Sequence, residues 1–194
     1  MTGLLILLGV AGVFGFARAM QPYTWHGSVF QPAGPAASIP LNDTQGRPFA
    51  LSQARGKVVL VFFGYTHCPD ECPLTMAKLK QVKASLGTAA DQVEVVFITI
   101  DPSRDTPGVL QAYLSKFDPS FVGLTGPLSA LEPVWQAYGV YQQAGGLTGQ
   151  NSYTVAHSTQ VYVIDQSGRL RLTYSTDARA ADIEQDLQHL LQTG

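Results

Sequence analysis

The sequence is poor in charge and in cysteine. Only 13% of its 194 residues are charged, the formal net charge is −2, and Lys and Arg form no run. This composition argues against a protein that binds nucleic acid through a basic surface. Hydrophobic residues make up 45% of the chain, which is enough apolar material for the core of one domain.

The chain opens with an apolar segment, "MTGLLILLGVAGVFGFA", that has no basic residues before it. Its length lies at the lower limit for a helix that spans a bilayer, so we expect residues 1–19 to be a membrane anchor. The alternative is a cleaved signal segment, since Ala17–Ala19 has the small-x-small form of a cleavage site. Either reading places the rest of the chain on the extracytoplasmic side, in the periplasm or at the cell exterior.

Residues 20–37 are rich in proline, glycine and alanine, and we expect them to form a linker. Residues 38–194 are expected to form the globular domain. Turn residues at Asn42–Gly46 predict an N-terminal β-hairpin. The apolar runs Lys57–Tyr65 and Val93–Ile100 predict strands that are buried on both faces, as in a parallel sheet.

Helical patterns follow both of these strands. The first begins at Pro73, a residue that suits an opening helical turn. The second has Thr106 as its expected N-cap and Pro107 as its first residue. A third helix is expected to break or kink at Pro133, because proline removes an internal hydrogen bond.

The last third of the chain completes the predicted topology. A Gly-rich stretch, Gly145–Gly149, indicates an inserted loop. A hairpin around Asp165–Gly168 and an amphipathic C-terminal helix follow it. Parallel βαβ first, an antiparallel hairpin last and a final helix predict an α/β, thioredoxin-like fold, with a central mixed sheet flanked by helices.

Cys68 and Cys72 are the only two cysteines, and they lie in "GYTHCPDECP". Three residues separate them, whereas redox-active pairs usually have two. A disulfide across so short a loop removes little entropy from the unfolded chain, so a purely structural bridge is disfavoured. A redox dithiol and a metal site remain open, and the start of the following helix favours thiolates in both.

The predicted topology brings three segments to one edge of the sheet. "GYTHCPDECP" and "DPSRDTP" follow the carboxyl ends of neighbouring parallel strands, where sites in open α/β sheets form. The strand Gln160–Asp165 should run antiparallel to them, so its start lies at that same edge. His157 precedes it and is predicted to reach the cysteine loop. Two sulfurs and an imidazole suit Cu(I) and Cu(II).

The motifs "GYTHCPDECP", "DPSRDTP" and "HSTQVYVID", in this order, resemble the Sco/SenC family over residues 38–192. Members of that family are membrane-anchored, thioredoxin-fold proteins that carry copper for assembly of the dinuclear copper centre of cytochrome c oxidase. The resemblance implies Cys68, Cys72 and His157 as copper ligands. It implies that Asp101 and Asp105 support the ligands or fix the loop.

The resemblance also implies partners and a function. The recipient would be the copper-bearing subunit of the oxidase, and a periplasmic copper donor or thiol reductant would act upstream. The protein would then be a metallochaperone and not an enzyme. One position departs from the family pattern, because Ala156 stands where an aspartate usually precedes the histidine.

Three further side chains invite a role at the site. His67 adjoins Cys68, but neighbouring side chains diverge, so we expect it beside the site or on the surface. Met76 has helical spacing from Cys72 and is expected in the core. Arg104 could pair with an acid near the site, and the sequence leaves that open.

Two enzymatic alternatives remain. A thiol–disulfide oxidoreductase could reduce the oxidised cysteines of a partner that accepts copper, and this needs an exposed attacking thiol and a resolving one. His157 discriminates the readings, because a metal site requires it and simple exchange does not. A thiol peroxidase is a weaker alternative, since the sequence offers no clear Thr/Arg set to activate peroxide.

Overall fold

A computed structural model describes residues 23–140, 142–144, 155–157 and 160–193, with residues 142–144 and 155–157 described as backbone only. The expected anchor, residues 1–19, and the expected inserted loop, Gly145–Gly149, lie outside the described residues. In the part of the chain that is described, no helix is long and apolar enough to cross a membrane.

In the described part of the chain, the main sheet has eight strands in the order β1-β10-β9-β4-β5-β6-β2-β3, and β7 pairs with β8 in a separate two-stranded sheet. The strands are β1 Ser28–Pro35, β2 Leu41–Asp43, β3 Pro48–Phe49, β4 Val58–Gly64, β5 Val93–Thr99, β6 Val122–Thr125, β7 Gln142–Ala144, β8 Val155–His157, β9 Val161–Ile164 and β10 Arg169–Tyr174.

The three central strands β4, β5 and β6 are parallel and largely buried. β4 pairs in parallel with β5, and β5 with β6, whereas β9 runs antiparallel to β4. Every residue of β4 is buried, as its continuous apolar sequence predicts. Phe62 packs near Phe97 at 5.9 Å between ring centroids, and Phe63 lies 5.4 Å from Tyr138. The β2–β3 and β9–β10 hairpins confirm the two predicted turns.

Within the described residues, four α-helices flank the sheet: α1 Glu71–Ser85, α2 Pro107–Leu114, α3 Leu128–Ala137 and α4 Ala180–Thr193. The 3₁₀ segment Leu51–Ala54 joins β3 to β4, and the 3₁₀ segment Gly87–Gln92 joins α1 to β5. The N-cap of α2 is as predicted, because the Thr106 hydroxyl accepts from the Val109 N–H at 3.4 Å. This mixed sheet with its helices confirms the α/β, thioredoxin-like class.

Two expectations differ from the structure. The break considered at Pro133 does not occur: helix α3 continues through this exposed proline to Ala137, because the buried Val134 and Trp135 anchor its last turn in the core. The linker expected over residues 20–37 contains a strand, since β1 pairs antiparallel with β10. Proline and glycine are tolerated there because β1 is an edge strand with an irregular register.

Candidate metal-binding dithiol

The two cysteines lie where β4 ends and α1 begins. The Cys68 N–H donates to the Tyr65 carbonyl at 3.2 Å, which closes a turn after the strand. Helix α1 begins at Glu71, two residues before the predicted start, so Cys72 lies in its first turn. The Cys72 N–H donates to the Cys68 sulfur at 3.4 Å. The loop therefore brings Cys68 back over the helix N-terminus, and the sulfurs of both residues face one another.

The two thiols differ in exposure. Neither cysteine is in a disulfide; Cys68 is half-buried and Cys72 is fully buried. The hydrogen bond with Cys68 and then burial raise the pKa of the Cys72 thiol above its ordinary value. These effects outweigh the helix terminus, which by itself favours a thiolate. In the metal-free protein these two effects favour the neutral thiol at Cys72 over its thiolate.

Gly64 leaves the space that the buried sulfur occupies. A Cβ on Gly64 would lie 2.9 Å from the Cys72 Sγ, and 2.8 and 3.0 Å from atoms of Phe62 and Phe97. Real side chains do not approach so closely, so any larger residue at position 64 would push the sulfur away. The last residue of β4 is thus part of the site, although it supplies no functional group.

Asp105 fastens the cysteine loop to the sheet. It is fully buried, and its carboxylate accepts from the Thr66 hydroxyl at 2.6 Å, the Thr66 N–H at 3.1 Å and the Thr99 hydroxyl at 2.7 Å. Burial, with a smaller contribution from Asp101, raises the pKa of Asp105 against the effect of these hydrogen bonds. Asp105 therefore restrains Thr66, two residues before Cys68.

Asp101 and Arg104 form a second connection in the same loop. The Arg104 Nε donates to the Asp101 carboxylate, so the arginine does pair with an acid near the site. The guanidinium carbon also lies 5.6 Å from the centre of the Tyr65 ring, at the base of the cysteine loop. Both charges are therefore used to order the loop next to the sulfurs.

His67 and Met76 lie apart from the two sulfurs. His67 is exposed; its Nδ1 lies 3.0 Å from the Thr66 hydroxyl and 3.9 Å from the Asp105 carboxylate. It points toward the supports of the loop. Met76 is fully buried and belongs to the core, as expected.

The backbone places His157 upstream of the same edge of the sheet. Val161 at the start of β9 pairs with Phe62 near the end of β4, so the chain enters β9 beside the cysteine loop. His157 ends β8, pairs with Gln142 and precedes Val161 by four residues. Its side chain lies outside the described residues. Within the residues that are described, no group of three His, Cys, Asp or Glu side chains could hold a metal ion.

The sequence did not predict that large apolar side chains near this edge of the sheet are exposed. Among the described residues, Leu74 is 60% exposed, Val109 40% and Leu128 49%, and Phe30 is the fourth large exposed hydrophobic. The first three lie in the opening turns of α1, α2 and α3, the helices that follow the carboxyl ends of β4, β5 and β6. A proline one or two residues before each was the available signal.

Comparison with known proteins places this geometry in a family. The SCO1/SenC family model matches residues 36–192. A mitochondrial SCO2 homolog of Bos taurus is 38% identical over 144 residues, and the match covers 73% of this chain. It covers 54% of the bovine protein, so this chain spans about half the length of that relative.

Two solved structures resemble the fold. The solution structure of apo Sco1 from Thermus thermophilus has a TM-score of 0.78 and 38% identity, covering 87% of this chain and 98% of that one. The structure of ScoI from Bradyrhizobium japonicum with copper bound has a TM-score of 0.74 and 34% identity, covering 81% and 99%. The family match over most of the chain and the shared fold show that the chain belongs to the SCO1/SenC family.

Proposed function

We propose that this chain is a copper chaperone that binds Cu(I) and Cu(II) through Cys68, Cys72 and His157 and delivers the ion for assembly of the dinuclear copper centre of cytochrome c oxidase. The observation that carries the proposal is the adjacent pair of free cysteines at the carboxyl edge of the sheet. The copper-bound state of the related ScoI supports the choice of metal.

The chemistry of the donors fits the ion. Thiolates are soft ligands that select copper in its reduced state, and imidazole serves both oxidation states. Burial and the contact with Cys68 oppose loss of the proton from the Cys72 thiol. Copper would displace this proton when it binds the sulfur. Because Cys68 is half-buried, an incoming ligand from a partner has one sulfur within reach, as transfer by ligand exchange requires.

The recipient would dock over the same edge. Exposed Leu74, two residues after Cys72 in the opening turn of α1, offers an apolar contact at this edge. We propose the copper-bearing subunit of the oxidase as recipient and a periplasmic copper donor or thiol reductant as supplier. Residues 1–19 would anchor the domain to the membrane on its extracytoplasmic side. A protein that only binds copper and passes it on would not be an enzyme.

A thiol–disulfide oxidoreductase is the second candidate, and the unequal exposure of the two thiols favours it. Half-buried Cys68 could attack a partner disulfide and form a mixed disulfide. Cys72 would then attack Cys68, releasing the partner as a dithiol and leaving a Cys68–Cys72 disulfide. The helix N–H that donates to the Cys68 sulfur would stabilise its thiolate.

An anaerobic Cu(I) titration of the full reduced chain against a chromogenic chelator tests the proposal. We expect one ion per chain, and weaker binding in Cys68→Ser and His157→Ala. His67→Ala is the matched control, because this exposed histidine adjoins Cys68 and is not a proposed ligand. A Cu(I) affinity that is unchanged in His157→Ala would contradict the three-ligand site. The reduction potential of the dithiol would then be the quantity that tests the oxidoreductase function.

A further inference from the structure

The chain between the expected anchor and strand β2 carries no charge. From Ala19 to Asn42 there is no Asp, Glu, Lys or Arg. This stretch includes β1, which lies at one edge of the main sheet, and Phe30, which is 39% exposed. Edge strands that face water are commonly protected by charged side chains or by proline. β1 has prolines but no charge, so its surface suits an environment that is less polar than water.

Contacts with α4 fix the point at which the chain enters the domain. The Tyr23 hydroxyl donates to Asp186 at 2.8 Å, and the Tyr23 ring stacks on His189 with centroids 3.8 Å apart. The His26 N–H also donates to Asp186, at 3.0 Å, and Asp186 is fully buried. The chain is therefore bound to the domain from Tyr23 onward, which leaves only residues 20–22 as a linker.

So short a linker limits how far the domain can lie from the membrane. The expected anchor ends at residue 19, four residues before Tyr23. Four fully extended residues span at most about 14 Å. An anchor in the bilayer would therefore hold Tyr23 close to the lipid headgroups, where Tyr and Trp side chains are enriched. The partly buried Trp25 lies beside it, with ring centroids 4.8 Å apart.

Two surfaces border this entry point, and their charges differ. The start of α4 exposes Arg179, which pairs with Asp182. β1 exposes Phe30 and has no charged residue. The exposed Arg169 of β10 donates to a backbone carbonyl of β1 at 3.0 Å, which places one cation beside this strand. An apolar ring next to a cation suits the surface of a bilayer that contains anionic phospholipids.

We propose that the β1 edge, which comprises Trp25, strand β1 and Arg169, lies on the surface of an anionic phospholipid bilayer. The inference rests on the membrane anchor of the proposed function and is independent of copper binding. Neighbouring strands are about 4.8 Å apart and β4 is the third strand from β1, so the cysteine loop would lie about 14 Å above this edge. The carboxyl edge of the sheet would then face along the membrane, toward a partner embedded in the same bilayer.

Quenching by brominated phospholipids tests the inference on the full chain in vesicles of phosphatidylcholine and phosphatidylglycerol. Phe30→Trp places a fluorescent reporter on the β1 edge. Leu128→Trp is the matched control, because Leu128 is also an exposed hydrophobic but follows β6, five strands away from β1. Both variants keep the native Trp25 and Trp135. We expect bromine to remove the emission that Phe30→Trp adds and to leave the emission that Leu128→Trp adds.

Flotation of the same vesicles separates the two ways in which the inference can fail. A chain that does not float with the vesicles would overturn the proposed anchor, and the inference with it. A chain that floats, but in which bromine quenches Phe30→Trp no more than Leu128→Trp, would overturn the inference and leave the anchor in place. Blue-shifted emission of Phe30→Trp without quenching by bromine would indicate that a second copy covers the edge, which also contradicts the inference.

Discussion

Asp105 and Asp186 are both fully buried, and each joins segments that are distant in the sequence. Asp105 holds the cysteine loop through Thr66 and Thr99. Asp186, on α4, holds the start of the described chain. We call the group around it the N-terminal junction, which comprises Tyr23, His26, Gly27, Tyr174 and Asp186.

The two carboxylates differ in how well their charge is supported. In the N-terminal junction Asp186 accepts from the hydroxyls of Tyr23 and Tyr174 and from the N–H groups of His26 and Gly27, and the His26 ring lies 2.9 Å away. Burial alone would raise the pKa of Asp186, but these hydrogen bonds lower it below 3.8. For Asp105 burial prevails and the pKa is raised.

The difference teaches that equal burial does not imply equal roles. The N-terminal junction is saturated with donors and can hold a permanent charge, as suits a structural anchor. The cysteine loop retains a carboxylate that its environment supports poorly, beside a second carboxylate, Asp101. Burying this carboxyl group lowers the stability of the fold, but its hydrogen bonds order the loop before Cys68.

The largest expected effect is at the N-terminal junction. Asp186→Asn replaces one acceptor oxygen by an amide that faces donors, so we expect a loss of about 2–3 kcal/mol in the free energy of unfolding at neutral pH. Because the folded pKa of Asp186 is lowered, its contribution is present above 3.8 and is lost as the pH falls below that value. Urea denaturation across this range should show the wild type and variant converging in acid.

The next effect concerns packing at the cysteine loop. Gly64→Ala brings a Cβ within 3.0 Å of the Cys72 sulfur and the two phenylalanine rings, so we expect a loss of about 1–3 kcal/mol and weaker Cu(I) binding. Gly34→Ala in β1 is the matched control, since nothing lies within 4 Å of its Cβ position. Equal unfolding midpoints for both variants would show that the region around Gly64 can relax.

Asp105→Asn should behave in the opposite way with pH. Because the folded pKa of Asp105 is raised, its contribution is fully present below 3.8 and is lost as the pH rises through the folded pKa. At neutral pH the variant should cost about 1 kcal/mol, because the amide cannot replace both oxygens that accept from Thr66 and Thr99, and in acid it should cost more. Denaturation curves that converge in acid, as for Asp186→Asn, would contradict the contrast between the two carboxylates.

The sequence could predict the features that depend on local pattern. Continuous apolar runs revealed β4 and β5, because a strand buried on both faces has no polar alternation. Turn residues predicted the two hairpins, and the Thr106 cap predicted the start of α2. The cysteine loop followed from these elements, since parallel strands that end together bring their loops to one edge.

Features that depend on contacts between distant segments could not be predicted. β1 is rich in proline and glycine and is a strand because β10 offers an open edge. His26 lacks a local motif, and its role depends on Asp186, 160 residues later. The space above Gly64 is also a property of packing, which spacing along the chain does not reveal.

The smallest expected effect separates the two contacts that hold Tyr23 in the N-terminal junction. Its hydroxyl donates to Asp186 at 2.8 Å, and its ring stacks on His189 with centroids 3.8 Å apart. Tyr23→Phe keeps the stacking and removes one of several donors, so we expect a loss of about 0.5–1 kcal/mol by urea denaturation. Tyr23→Leu, which removes the stacking as well, should cost more. If Tyr23→Phe matched Asp186→Asn, one hydrogen bond would account for the whole junction, and Asp186 would not be the saturated carboxylate that distinguishes this region from the cysteine loop.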